Sequence, residues 1–141
     1  MLDIRRLTDA YSVAPQIAPG DLAAIRAAGF TTVIDNRPDA EIPGDLQTAA
    51  MRAAAAAAGL AFVANPVVSG ALTEANVAAQ AAAMAASAGP VLAYCASGNR
   101  SSSVWALAMA GRLPADDLIG IPARHGYQLA HLRPQIEALM R

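Results

Sequence analysis

Short apolar runs alternate with longer alanine-rich stretches along most of this chain of 141 residues. The apolar runs contain β-branched and aromatic side chains, which are typical of buried strands, whereas the alanine-rich stretches favour closely packed helices. Turn residues such as glycine and proline separate the two patterns. The pattern predicts strands at 11–14, 31–35, 60–64 and 90–94, and helices at 18–28, 46–59, 73–88, 101–111 and 129–140. A further short helix is predicted from 114, with Gly120 and Pro122 interrupting it.

The order of these elements predicts the fold class. Strands that alternate with helices form a mainly parallel sheet with helices on both faces, so we expect a single α/β domain over residues 1–141. The strand at 11–14 is expected at the edge of this sheet. Functional sites in such sheets form at the carboxyl ends of the strands. This rule brings three loops together, at 36–45, 66–73 and 95–100.

Composition narrows the classes of function. The hydrophobic fraction is 55% and the mean hydropathy is +0.35, but much of this is alanine, and no apolar run reaches the ~18 residues of a membrane span. A net charge of -1 and a pI near 6.0 argue against nucleic-acid binding. One cysteine and two histidines provide no disulfide and no metal-ligand set. We therefore expect a cytoplasmic protein with no metal, no cofactor and no membrane or nucleic-acid partner.

The only cysteine lies where the strand at 90–94 gives way to a helix. This strand, loop and helix order is typical of an anion-binding loop, in which backbone N–H groups surround an oxyanion and also favour a thiolate. Cys95 is therefore expected to be a nucleophile, and Arg100 offers a planar fork of donors to the anion. Ser101 is expected to cap the helix and to approach the thiolate. The predicted catalytic residues are Cys95, Arg100 and Ser101, and the predicted anion loop contains Ala96, Ser97, Gly98, Asn99 and Arg100.

The stretch Tyr94–Ser101 resembles the active loop of rhodanese-type sulfurtransferases, in which four residues separate cysteine from arginine. It is also similar to the phosphate loop of cysteine-dependent phosphatases, in which five residues separate them. The whole chain resembles a bacterial family of small phosphatase-like domains, related to dual-specificity phosphatases and often labelled sulfurtransferases. Relatives are fused to metallo-β-lactamase-like enzymes of persulfide metabolism. The segments that carry this resemblance are 32–39, 66–73, 91–102 and 126–134.

The resemblance implies a dual-specificity-phosphatase-like fold and a cysteine-dependent transfer reaction. Ala96 departs from the family pattern, because this position is often arginine. The loop therefore has one positive group fewer than the family pattern.

Two chemistries compete for this loop. Sulfur transfer forms a Cys95 persulfide and passes the sulfur to an external thiol, and it requires no acid. A phosphatase also needs an acid for the leaving group, and residues 65–73 contain no carboxylate, which leaves Asp35, Asp39 and Glu74 as alternatives. The spacing and the missing acid favour a sulfurtransferase.

The alternative is a phosphatase that forms a phosphocysteine on phosphotyrosine-like or small phosphate esters. A non-catalytic anion-binding module is the third interpretation. The expected partners are accordingly a small sulfur donor and acceptor or a phosphate ester, with sulfate or phosphate in the loop. Asp35 and Arg37 are candidate accessory residues on the neighbouring loop.

Overall fold

A computed structural model describes residues 2–141 of the protein. Its five strands form one sheet in the order β1-β2-β5-β3-β4, parallel except for β1, which pairs antiparallel with β2. The strands are β1 (Arg5–Thr8), β2 (Tyr11–Ala14), β3 (Thr32–Asp35), β4 (Ala61–Ala64) and β5 (Val91–Tyr94). The helices are α1 (Leu22–Ala27), α2 (Thr48–Ala57), α3 (Glu74–Ala86), α4 (Asn99–Ala108), α5 (Ala115–Ala123) and α6 (Arg133–Leu139).

Helices cover both faces of the sheet. Alternate residues of a strand point to opposite faces, so Leu92 and Tyr94 of β5 face one core and Val91 and Ala93 face the other. The first core includes side chains from α1 and α2, namely Leu22, Ile25, Met51 and Ala55. The second includes side chains from α3 to α6, namely Ala83, Trp105, Leu118 and Ile136. The predicted α/β class with a mainly parallel sheet is confirmed.

The edge of the sheet differs from the prediction. β2 is buried along its whole length between β1 and β5, so the predicted edge position of residues 11–14 is wrong. β4 forms one edge of the sheet, and the other edge is β1, which the sequence pattern does not predict. Two arginines stand in this strand and only Leu7 is buried, so it lacks the apolar run by which the other strands were found.

Three helix predictions also need correction. α4 begins at Asn99 rather than at Ser101, and α5 passes through Gly120 and Pro122 without interruption. Pro122 lies in the last turn of α5 and is buried, so packing offsets the one missing N–H donor. The last helix is shorter than predicted. A 3-10 turn at Ala130–Leu132 precedes α6, which carries a proline in its first turn.

The carboxyl ends of the parallel strands lie at one edge, and backbone hydrogen bonds continue from the strands into the loops. The Asn36 N–H donates to the Tyr94 carbonyl at 2.8 Å, and the Gln16 N–H donates to the Ala96 carbonyl at 3.2 Å. These bonds fix the starts of the loops against the residues that flank Cys95. Within residues 2–141, no helix combines the length and apolar character needed to cross a membrane.

Candidate active site

Cys95 follows β5 directly and lies at the floor of the cysteine loop, residues 95–100. Its side chain is buried, and the Gly98 N–H donates to its Sγ at 3.1 Å. Gly98 precedes α4 with a φ of 99°, a backbone conformation that residues with a Cβ rarely adopt. This turn directs the N–H back toward the sulfur. The predicted order of strand, loop and helix is therefore present around the thiol.

Tyr127 supports the cysteine loop from outside. Its hydroxyl donates to the Ser97 carbonyl at 2.9 Å, and the ring lies so close to Gly98 that a Cβ there would clash with it. Tyr127 is itself buried, and it follows α5 in the chain. Both the backbone conformation and the available space therefore require glycine at residue 98.

Arg100 joins the cysteine loop to the two neighbouring loops. Its Nη1 donates to Glu41 Oε2 and to the Val67 carbonyl, and its Nη2 donates to Glu41 Oε1, each at 2.8 Å. The hydrogen bond with Glu41 is the main cause that raises the pKa of Arg100, and the nearby Cys95 sulfur acts in the same direction. Both Glu41 and Cys95 therefore favour the charged guanidinium. The three loops predicted to meet are in contact here.

Ser101 does not cap the helix as predicted, because α4 begins earlier and Gly98 occupies the cap position. The Ser101 hydroxyl donates to Asn36 Oδ1 at 2.9 Å, and the Ser101 carbonyl accepts from the Tyr11 hydroxyl at 2.8 Å. The hydroxyl is thus used to link α4 to the loop that follows β3. Its approach to the Cys95 thiolate stays a prediction.

A buried network of side-chain amides lies beneath the site. Asn36 Nδ2 donates to Gln80 Oε1 and to the Asn65 carbonyl, both at 2.9 Å, and Gln80 Nε2 donates to the Tyr11 hydroxyl at 2.9 Å. Asn65 Nδ2 also donates to Gln80 Oε1, at 2.8 Å. Buried polar groups stabilise a fold only when they are paired, and these are. The network fixes the ends of β3 and β4 relative to α3 and α4.

The two candidate accessory residues, Asp35 and Arg37, stabilise the loop that follows β3, and their side chains bind other partners rather than each other. The Asp35 carboxylate is buried and accepts from the Arg37 backbone N–H and the Thr48 hydroxyl, each at 2.9 Å. Burial is the main cause that raises the pKa of Asp35. The Arg37 guanidinium donates to Glu41 and Gln16, both at 3.3 Å. Asp35 therefore braces the start of the loop, and Arg37 braces Glu41.

The raised pKa of Asp35 predicts a pH-dependent stability. The folded state binds this proton more tightly than the unfolded chain, so the contribution of Asp35 is most favourable below the ordinary aspartate pKa and declines as the pH rises through the raised value. We expect urea unfolding to show that wild type loses stability relative to Asp35→Asn between about pH 4 and about pH 7. Asp45→Asn removes an exposed carboxylate of the same loop and is the control. A difference between wild type and Asp35→Asn that is constant over this range would contradict the expectation.

The other two carboxylates considered for acid catalysis, Asp39 and Glu74, lie at the starts of helices. Asp39 Oδ1 accepts from the Thr48 N–H at 2.8 Å, and Glu74 is the first residue of α3. Sequence reasoning missed Glu41, which is the carboxylate that contacts Arg100. A signal was available, because Glu41 lies four residues after Arg37 in a loop that was predicted to meet the cysteine loop. The pKa of Glu41 is lowered, mainly by Arg100, so it is a poor proton donor. No group of three potential ligands among residues 2–141 is arranged to hold a metal ion.

The central strand β5 of the sheet ends in a cysteine loop that contains Arg100. This arrangement is that of a phosphatase-like fold, and solved structures of phosphatases superpose on it. A candidate phosphatase from Neisseria meningitidis superposes with a TM-score of 0.82 at 28% identity, over 96% of this chain and 97% of that one. TpbA from P. aeruginosa, in complex with phosphotyrosine, superposes with a TM-score of 0.64 at 16% identity, over 98% and 82% of the two chains. The second likeness is one of fold.

The chain belongs to the family of the phosphatase-like domain of β-lactamase hydrolase-like proteins, which matches residues 3–112. The β-lactamase hydrolase-like protein of Agrobacterium fabrum is 33% identical over 126 residues, 88% of this chain and 29% of that protein. The one from Xylella fastidiosa is 37% identical over 103 residues, 72% of this chain and 24% of that protein. The chain thus spans less than a third of the length of these relatives. The phosphatase-like family is confirmed, while the rhodanese relationship and the fusion to persulfide enzymes stay predictions.

Proposed function

We propose that this protein is a cysteine-dependent phosphatase for phosphate monoesters, with Cys95 as nucleophile and Arg100 as the ligand of the phosphoryl oxygens. The observation that carries the proposal is the position of Cys95 Sγ, which is buried at the end of β5 and accepts the Gly98 N–H from the same loop that carries Arg100. The family and the fold of its neighbours favour this alternative over sulfur transfer. The complex of TpbA with phosphotyrosine supports an aryl phosphate as the kind of substrate.

The reaction follows from the groups around the thiol. The thiolate attacks phosphorus, an S–P bond forms, and the ester P–O bond breaks with its electron pair on the leaving oxygen. Backbone N–H groups of the cysteine loop, together with the N–H groups of Arg100 that Glu41 and Val67 do not occupy, stabilise the negative charge on the equatorial oxygens. Water then attacks the phosphocysteine, which releases inorganic phosphate and restores the thiolate.

Protonation of the leaving group is the weak part of this site. Glu41 is held ionised by Arg100, and Asp35 is engaged by Arg37 and Thr48. Esters whose leaving group is a weak base need little protonation, so aryl phosphates should react much faster than alkyl phosphates.

Sulfur transfer is the second candidate, and a specific observation favours it. Four residues separate Cys95 from Arg100, so the cysteine loop has one N–H fewer than the phosphate loop that it otherwise resembles. In this chemistry the thiolate attacks a sulfane sulfur, which forms a persulfide and releases the donor's thiolate. An external thiol then takes the sulfur. In either chemistry, we propose that residues 1–141 act as one domain.

The two candidates differ in what becomes attached to Cys95. Wild-type protein is mixed with p-nitrophenyl phosphate or with glutathione persulfide, quenched in acid within the first turnovers, and analysed by peptide mass spectrometry. We expect a phosphoryl group on the peptide that contains Cys95, and none when the thiol is first blocked with iodoacetamide. A sulfur adduct without a phosphoryl adduct would establish sulfur transfer instead. Absence of both adducts, with sulfate binding retained, would indicate an anion-binding module.

A further inference from the structure

Glu41 occupies one whole edge of the Arg100 guanidinium. Each carboxylate oxygen accepts from a different terminal nitrogen of Arg100, Oε2 from Nη1 and Oε1 from Nη2, both at 2.8 Å. The Val67 carbonyl takes a second hydrogen of Nη1 at 2.8 Å. The edge of the guanidinium formed by Nη1 and Nη2 therefore has no N–H group left for another acceptor. Among residues 2–141, no hydrogen bond is formed by Arg100 Nε, which belongs to the other edge.

We propose that Glu41 is a positioning residue that holds Arg100 with its free edge toward Cys95, where the transferred group binds. This inference rests on the proposed function only in that it assigns an oxyanion to the cysteine loop. A guanidinium binds an oxyanion through two parallel N–H donors along one edge. With Nη1 and Nη2 held by Glu41, the edge formed by Nε and the remaining N–H of Nη2 is presented to the anion.

The surroundings of Glu41 fit a positioning role. Arg37 donates to Glu41 twice, from Nε to Oε1 and from Nη2 to the backbone carbonyl, both at 3.3 Å, so a second cation orients the carboxylate. The Arg100 side chain is 12% exposed and that of Glu41 is 31% exposed. A bidentate pair between a largely buried arginine and a partly exposed carboxylate restricts both side chains to one geometry. The effect of this pair therefore lies in the orientation of Arg100, whose long side chain would otherwise sample many rotamers.

A carboxylate near the site has a second and opposite effect. Its negative charge disfavours the Cys95 thiolate and any bound oxyanion through space. If charge alone mattered, removal of Glu41 would make the thiol more reactive at low pH and would strengthen anion binding. If positioning dominates, removal of Glu41 releases Arg100 and has the reverse result. The two effects differ in sign, so they are separable by experiment.

Two variants of Glu41 make the test. Glu41→Gln keeps the shape and removes the charge, whereas Glu41→Asp keeps the charge but shortens the reach to Arg100. For each, we measure the rate of Cys95 alkylation by iodoacetamide at about pH 6, together with kcat and KM for p-nitrophenyl phosphate. Glu137→Gln removes an exposed carboxylate from an arginine pair on α6, far along the chain from the site, and is the matched control. Circular dichroism verifies that the variants remain folded.

We expect both Glu41 variants to alkylate more slowly than wild type, with kcat/KM lowered by about tenfold to about a hundredfold and the control unchanged. Faster alkylation in Glu41→Gln with wild-type behaviour in Glu41→Asp would overturn the proposal in favour of a through-space charge effect. Unchanged alkylation in both variants would also overturn it. Alkylation does not depend on the reaction catalysed, so absence of phosphatase activity in wild type would refute the proposed function without deciding the role of Glu41.

Discussion

Replacement of Cys95 by serine is expected to lower turnover of p-nitrophenyl phosphate by at least about 10³-fold, because a serine hydroxyl is not ionised at neutral pH and its oxygen is a far weaker nucleophile than a thiolate. The measurement is the steady-state rate at saturating substrate. The chain contains no other thiol that would replace Cys95. The loss should therefore appear in kcat rather than in KM.

The same variant also tests whether the loop survives. Serine is smaller than cysteine and its hydroxyl can still accept from the Gly98 N–H, so the anion loop should keep its shape. We expect Cys95→Ser to unfold at the same urea concentration as wild type and to bind inorganic phosphate in calorimetry. Turnover above about a hundredth of the wild-type rate would show that Cys95 is not the nucleophile.

Gly98→Ala is expected to destabilise the protein by more than about 3 kcal/mol and to reduce turnover strongly, because two costs add at this position. The first is the positive φ of 99°, which disfavours any residue with a Cβ. The second is the clash of that Cβ with the Tyr127 ring. Relief of the clash requires the loop to move away from Tyr127, which would withdraw the N–H that Cys95 now accepts. Chemical denaturation measures the destabilisation, and steady-state kinetics measures the loss of turnover.

Gly111 provides a matched control for this prediction. Its φ is 87°, but no atom lies within 4 Å of the position that a Cβ would occupy. Gly111→Ala should therefore show only the conformational cost of about 1 to 2 kcal/mol, with turnover retained. Equal destabilisation by the two substitutions would mean that Tyr127 does not confine the loop.

The central part of the fold was predictable because its signal is local. β3 and β5 are buried on both faces, and this burial appears in the sequence as consecutive β-branched or apolar residues, at 32–34 and 91–94. β1 was not predictable in this way, since two of its four residues are arginines and it carries no such run. Gly120 and Pro122 mark a break by local rules, yet the packing of α5 keeps the helix continuous through both.

The residues of the site were likewise predictable only where their signal is local. Cys95 and Arg100 belong to one short motif, so their proximity follows from the chain itself. Glu41 and Tyr127 reach the cysteine loop from elements far away in sequence, and only the tertiary structure brings them there. The preference for sulfur transfer rested on loop spacing and a missing acid. The spacing is still the observation that favours sulfur transfer, whereas the family and the fold favour the phosphatase alternative.

The amides beneath the site have a consequence for how turnover responds to acid and base. The side chains of Asn36, Asn65 and Gln80 carry no ionisable proton, so the frame they build keeps the same hydrogen bonds over the whole range in which an enzyme works. A frame built from carboxylates or histidines would loosen as the solution was titrated. The alignment of β3, β4 and α4 by these amides therefore does not change with pH. A pH profile of turnover would reflect the ionisable groups of the cysteine loop and its neighbours.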